Sequence, residues 1–146
     1  MEGAMEFRDE AEMERLACGM MACTLPKEEW THAAHFASAL WLMARRPEMD
    51  LPAEMPGLIR GYNESVGGQN TETAGYHETI TQASLRAARA FFVERAGEPV
   101  QEVMNALMRS PLGRSDWLLT YWTRERLFSV EARREWVEPD LRGLPW

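Results

Sequence analysis

At 146 residues and 16.8 kDa the chain has the length of one ordinary domain, too short for two independent cores. Hydrophobic residues at 45% and charged residues at 27% lie within the globular range and exclude global disorder. The 16 basic and 23 acidic side chains leave a formal charge of −7, which argues against nucleic acid, whose phosphates need a concentrated positive surface.

In chain order, Phe7, Met13, Leu16, Met20 and Met21 recur at helical spacing with acids between them, which predicts an acidic amphipathic first helix over 7–21, within a first segment 1–23. Thr24-Leu25-Pro26 interrupts it, and Pro26 suits the first turn of a second helix over 27–45, stopped by Pro47. Residues 33–44 are apolar on almost every side, the mark of a helix packed around by others. That run is too short to cross a bilayer, and no basic-then-apolar leader opens the chain, so no membrane partner and a cytoplasmic location are expected.

Pro47, Pro52 and Pro56 predict a connector over 47–56, followed by a short helix over 57–66 with Leu58, Ile59, Tyr62 and Val66 inward. A polar, glycine-containing loop follows over 67–75, longer than most connections. The longest periodic stretch, 76–95, turns His77, Ile80, Thr81, Ser84, Leu85, Ala88, Phe91 and Phe92 inward and Arg86 and Arg89 outward. Further helices are expected over 100–108, over 115–128 with Ser115 as cap, and over 129–136 with Ser129 as cap. The tail 139–146 reads as an extended segment lying along the surface. No stretch alternates with period two. The expectation is an all-α, single compact domain of about five to seven helices, with helix two buried and residues 24–138 as its helical core. Cys18 and Cys23 have no second pair to complete a thiolate cage and read as two small, partly buried thiols.

The three histidines fall in two short segments, Trp30-Thr31-His32-Ala33-Ala34-His35 and Gly75-Tyr76-His77-Glu78-Thr79. Side chains three apart on a helix are neighbours, so His32 and His35 could converge on one metal ion, with His77 supplying a third imidazole from another helix. Glu28, one turn before His32, would orient a ligand ring from the second shell, and Glu78 beside His77 would accept a proton. Three imidazoles leave an open position for water or substrate, and imidazole suits Zn²⁺, Fe²⁺, Mn²⁺, Ni²⁺ or Cu²⁺ alike. The competing reading makes the histidines structural, each hydrogen-bonded inside the fold, with His35 the readiest to be a core residue. Asn63 and Tyr76 are expected to line a pocket, with Thr81 on the inner face and Tyr121 offering a polar tip to a cavity. Thr71 and Thr73 are expected to cap and turn, and Arg124, Arg126, Arg133 and Arg134 to form a solvated surface.

These segments, with Tyr62-Asn63, Glu131-Ala132-Arg133 and Pro139-Asp140-Leu141, resemble a group of small bacterial proteins with no established activity. The resemblance implies that the segments belong to one unit and carries over no chemistry.

Two functions follow as expectations. The first is a small helical enzyme with a histidine-centred, metal-assisted site acting on a small molecule by hydrolysis or by oxidative or lyase chemistry. There His32, His35 and His77 hold the ion and His77 and Glu78 are catalytic, with Asn63, Tyr76, Thr81 and Tyr121 as substrate-binding residues. The second is a non-catalytic module that binds a small ligand or a protein partner and uses its histidines structurally. Under either reading the acidic first helix is a candidate homodimer element.

Overall fold

The computed structural model describes residues 6–146, so residues 1–5 of the expected first segment lie outside the described residues. Seven α-helices account for most of the chain, and no strand occurs among the described residues. They are α1 (Glu10–Met21), α2 (His32–Arg45), α3 (Leu51–Ser65), α4 (Glu78–Glu94), α5 (Val100–Arg109), α6 (Arg124–Leu127) and α7 (Val130–Arg134), with short 3-10 turns at Lys27–Glu29, Pro111–Gly113 and Trp117–Thr120.

The second helix is the buried one. Every residue of α2 from Phe36 to Met43 is out of solvent, and α1, α4 and α5 pack around it. Its start differs from the expected position. Lys27–Glu29 closes as a separate 3-10 turn, Trp30 leaves helical geometry at ψ 68°, and the Thr31 side chain caps α2 by accepting the Ala34 N–H. His32 therefore stands at the first position of the helix rather than in its middle.

The first helix begins at Glu10, with the Asp9 side chain accepting the Glu12 N–H. Phe7 precedes it as a buried anchor: its N–H donates to Asn105 Oδ1 and its carbonyl accepts from Asn105 Nδ2, both at 2.8 Å, tying the strand of chain before α1 to α5. At the other end Cys23 N–H donates to the Met20 carbonyl (3.1 Å) and Thr24 N–H to the Gly19 carbonyl (2.8 Å). This pairing requires a left-handed residue between helix and loop, and Cys23 adopts it at φ 59°. A side chain there is strained and Cys23 is exposed. Cys23→Gly is expected to stabilise the protein by about 0.5–1 kcal/mol, read as a higher urea midpoint; a lower midpoint would contradict this account of the cap. Cys18, half-buried, and Cys23 are both free thiols.

The third helix starts six residues before its expected beginning, inside the predicted connector. Asp50 caps it by accepting the Ala53 N–H, and Pro52 occupies the first turn, where no N–H is needed. Pro56 lies inside the helix and deprives the Pro52 carbonyl of its helical donor. Gln82 Nε2 of α4 supplies that hydrogen bond across the interface at 2.9 Å. Pro52 and Pro56 thus shape a helix instead of ending one, while Pro47 stands just beyond the end of α2.

The region expected as one helix over 115–128 is a 3-10 turn, a break and the single-turn α6. Thr123 makes the break: its side chain caps α6, while its N–H (2.8 Å) and hydroxyl (2.7 Å) both donate to the Asp140 carboxylate in the tail. Ser129 caps α7 as expected, though α7 ends at Arg134. Beyond it the chain is extended and stitched down. Trp122 Nε1 donates to the Val137 carbonyl (3.1 Å), Thr79 Oγ1 to the Glu135 carbonyl (2.9 Å), and Leu141 N–H to the Tyr121 carbonyl (2.9 Å). Trp146 packs edge-on against Trp117.

Candidate functional site: an apolar cavity with one unengaged imidazole

The fourth helix fixes one wall of the site. It begins at Glu78 because His77 acts as its cap: Nδ1 accepts the Ile80 N–H at 3.2 Å. An imidazole that accepts at Nδ1 while neutral carries its proton on Nε2, and His77 Nε2 donates to the Leu127 carbonyl at 2.7 Å. Burial lowers the His77 pKa, outweighing the raising effect of the Leu127 hydrogen bond, and the Arg133 charge adds to the lowering. Both ring nitrogens are therefore occupied by backbone groups of α4 and α6.

His32 is engaged through one nitrogen. Its Nε2 pairs with the Leu112 carbonyl at 2.9 Å, and its ring meets Phe36 edge-on. His35 is the exception. Its ring stacks on Trp30 with centroids 4.0 Å apart, and neither of its nitrogens has a hydrogen-bond partner among the described residues. Desolvation by the crowded walls, reinforced by the neighbouring His32, lowers its pKa to about 4. The residue is nonetheless exposed to solvent through the mouth of a cleft, which moderates that shift without reversing it. The ring is neutral at pH 7.

That cleft is a cavity of about 320 Å³ between α2, α3 and α4. Trp30, Phe36, Met55, Ile59, Ile80 and Leu85 supply apolar walls, and His35, Asn63, Tyr76, Thr81 and Ser84 supply polar groups. The lining is mostly hydrophobic, with a few polar atoms among the apolar walls. Asn63, Tyr76 and Thr81, expected as substrate-binding residues, all line it, as do His35 and His77.

The loop over 67–77 brings Gly75, Tyr76 and His77 to the cavity wall, and Asn70 is its fastener. Asn70 Oδ1 accepts from Asn63 Nδ2 (3.1 Å) and from the Tyr76 N–H (3.0 Å), while Asn70 Nδ2 donates to the Arg60 carbonyl (3.1 Å) and to Glu64 (3.2 Å). From the other side Arg133 of α7 donates to the Gly75 carbonyl at 2.9 Å. Thr71 Oγ1 accepts the Thr73 N–H, the turn chemistry expected for those threonines. Tyr76 is buried and donates its hydroxyl to Glu78 Oε1; burial and this bond together hold its pKa well above the usual phenol range.

Several expected roles are not met by the geometry. Among the described residues no group of three or more His, Cys, Asp or Glu side chains is placed to hold a metal ion. The proposed ligands His32, His35 and His77 do not form one donor set among the described residues: both His77 nitrogens and the His32 Nε2 are paired with backbone groups, which leaves His32 Nδ1 and the His35 ring. Glu28 makes no hydrogen bond to an imidazole among the described residues; its negative charge acts instead on Tyr62, whose hydroxyl donates to the Leu25 carbonyl at 2.8 Å. Glu78 is bound to Tyr76 and not to a histidine. Tyr121 lies outside this cavity, edge-on to Trp117 and beside Trp146, and lines a separate cleft with Arg114, Asp116 and Arg142.

Trp30, Phe36 and Met55 line the cavity without having been singled out as site residues. Their apolar character marked them only as core. Arg133 is a loop fastener and not a purely solvated charge, and no local pattern separates it from its neighbour Arg134. No helix among the described residues is long and apolar enough to cross a membrane. Comparisons with protein-family models, with curated proteins and with solved structures find no match for this chain.

Proposed function

We propose that the chain is a small-molecule-binding helical domain, and that the cavity between α2, α3 and α4 takes a compact, largely apolar molecule with a polar group directed at His35. The single observation that carries this reading is the unengaged, neutral imidazole at a cavity whose walls are mostly apolar. An apolar body gains the burial of hydrocarbon, about 25 cal/mol per Å² removed from water. A hydroxyl or amide on that body would meet the His35 nitrogens, the Ser84 and Thr81 hydroxyls and the Asn63 side-chain oxygen.

A catalytic variant has one observation in its favour, that the Tyr76–Glu78 pair adjoins the same cavity. A base with a depressed pKa is weak, however, and efficient general bases sit near the working pH. Binding is therefore the stronger reading. A metal-assisted mechanism would need three donors brought together, and among the described residues no three His, Cys, Asp or Glu side chains are so placed.

The test is a titration with 1-octanol followed by the methyl resonances of Ile59, Ile80 and Leu85. Saturable shifts confined to these walls are expected, and Ser84→Leu, which fills the cavity from its own lining, is expected to weaken binding at least tenfold. Shifts scattered over the surface, or equal affinity in the filled variant, would contradict the reading.

A further inference from the structure

A second cleft of about 250 Å³ adjoins the cavity, with Tyr76 common to both, and Arg60, Arg133, Arg134, Thr71 and Glu72 on its other sides. Three guanidinium groups face one carboxylate there. That carboxylate, Glu72, approaches Arg134 only to 3.6 Å, with both side chains about two-thirds exposed, so solvent screens the pair strongly. Arg60 sits over the Tyr76 ring, 4.4 Å from its centroid, and has no carboxylate partner among the described residues. Arg133 uses Nη1 alone, on the Gly75 and Tyr76 carbonyls, and leaves its other nitrogens without acceptors among the described residues. The Thr71 hydroxyl, which accepts from Thr73, still has its proton to donate. The cleft thus concentrates positive charge and hydrogen-bond donors on a chain whose formal charge is −7.

We propose that this arginine-lined cleft binds the anionic head of an amphiphile whose hydrocarbon body occupies the adjoining cavity. The ligand class is a small carboxylate or phosphate monoester with an apolar body. The inference rests on the cavity reading and adds to it the charge of the ligand. A planar guanidinium held against an aromatic ring is already oriented, so it loses little freedom on meeting an oxyanion. The neighbouring Tyr76 remains a neutral phenol and adds no opposing charge.

The experiment compares 1-octanol, octanoate and octyl phosphate by calorimetric titration at low ionic strength. Wild-type protein is expected to bind at least one of the two anions tenfold or more tightly than the alcohol, with the advantage shrinking in salt. In an Arg60→Gln/Arg134→Gln variant the ratio of anion to alcohol affinity should fall towards one; both side chains are exposed, and Arg133 is kept because it holds the loop. Preference for octanoate identifies a carboxylate head and preference for octyl phosphate a phosphate head. Octanol binding with no anion advantage, or an advantage that survives in the double variant, overturns the anion site and leaves the cavity reading standing. Failure of all three ligands to bind overturns both.

Discussion

Gly75→Ala is expected to destabilise the protein by about 2–4 kcal/mol, whereas Gly67→Ala should cost about 1–2 kcal/mol. Both glycines have left-handed backbones, at φ 83° and 88°. They differ in what surrounds them. A β-carbon at Gly67 meets nothing within 4 Å, but at Gly75 it would lie 2.1 Å from the Gln69 carbonyl oxygen and 2.7 Å from Asn70 Oδ1. Backbone cannot withdraw as a flexible side chain would. The loop must open, separating Asn70 from Tyr76 and Asn63 and freeing the wall that Arg133 holds from the other side. Octanol affinity should fall with stability in Gly75→Ala and stay near wild type in Gly67→Ala. Equal urea midpoints for the two variants would show that the close approach at Gly75 has no energetic consequence.

The second large effect is at His77. His77→Ala removes the cap of α4, worth about 1 kcal/mol, and strands the Leu127 carbonyl, worth a further 1–3 kcal/mol or so for a buried group. A total loss of about 2–4 kcal/mol is expected. His35→Ala should cost the least of the three histidine-to-alanine changes, because its ring has a stacking partner and no hydrogen bond. His32, half-buried on the Leu112 carbonyl, should fall between them. The ranking separates this account from a shared metal centre, in which loss of any one ligand would weaken the same ion.

Protonation tests the same bonds. His77 and His35 both have folded pKa values below the ordinary 6.5, so the unfolded chain binds more protons between the two values. Their contribution to stability is complete above about pH 6.5 and is lost as pH falls below it through the depressed folded values, that of His35 lying at about 4. A protonated His77 would turn Nδ1 from acceptor to donor against the Ile80 N–H. The melting temperature should therefore decline over this window, and His77→Gln should flatten the decline. A melting temperature that rose on acidification through pH 6 would give the shifts the wrong sign.

Much of the architecture is legible in the residues, and the failures have physical causes. The unbroken apolar face of 33–44 identified the central helix, since no other packing hides it. Helices α4 and α5 came within two residues of their expected ends. The early start of α3 was hidden because Pro56 reads as a breaker, while the Gln82 side chain that satisfies its orphaned carbonyl lies in another helix. The broken stretch 115–128 depends on Asp140, seventeen residues after Thr123 in the chain, and no local pattern announces that pairing. At the site, Asn63 and Tyr76 are expected to line a pocket because they precede His77 around the polar loop, and both stand in the cavity wall. The roles of the histidines were not legible, because the groups that engage them, Leu112 and Leu127, are 80 and 50 residues away and act through backbone carbonyls. His35, the residue that looked most like ordinary core, is the one left without a partner.

The most direct test of that assignment is the long-range ¹H–¹⁵N spectrum of the three imidazoles at pH 7 during titration with 1-octanol. His32 and His77 should keep their Nε2 hydrogen bonds to the Leu112 and Leu127 carbonyls and stay near their ligand-free positions, while the His35 nitrogens shift saturably with ligand. A His35 signal that ignores the ligand while His32 or His77 responds would place the binding chemistry on the wrong ring and contradict the account.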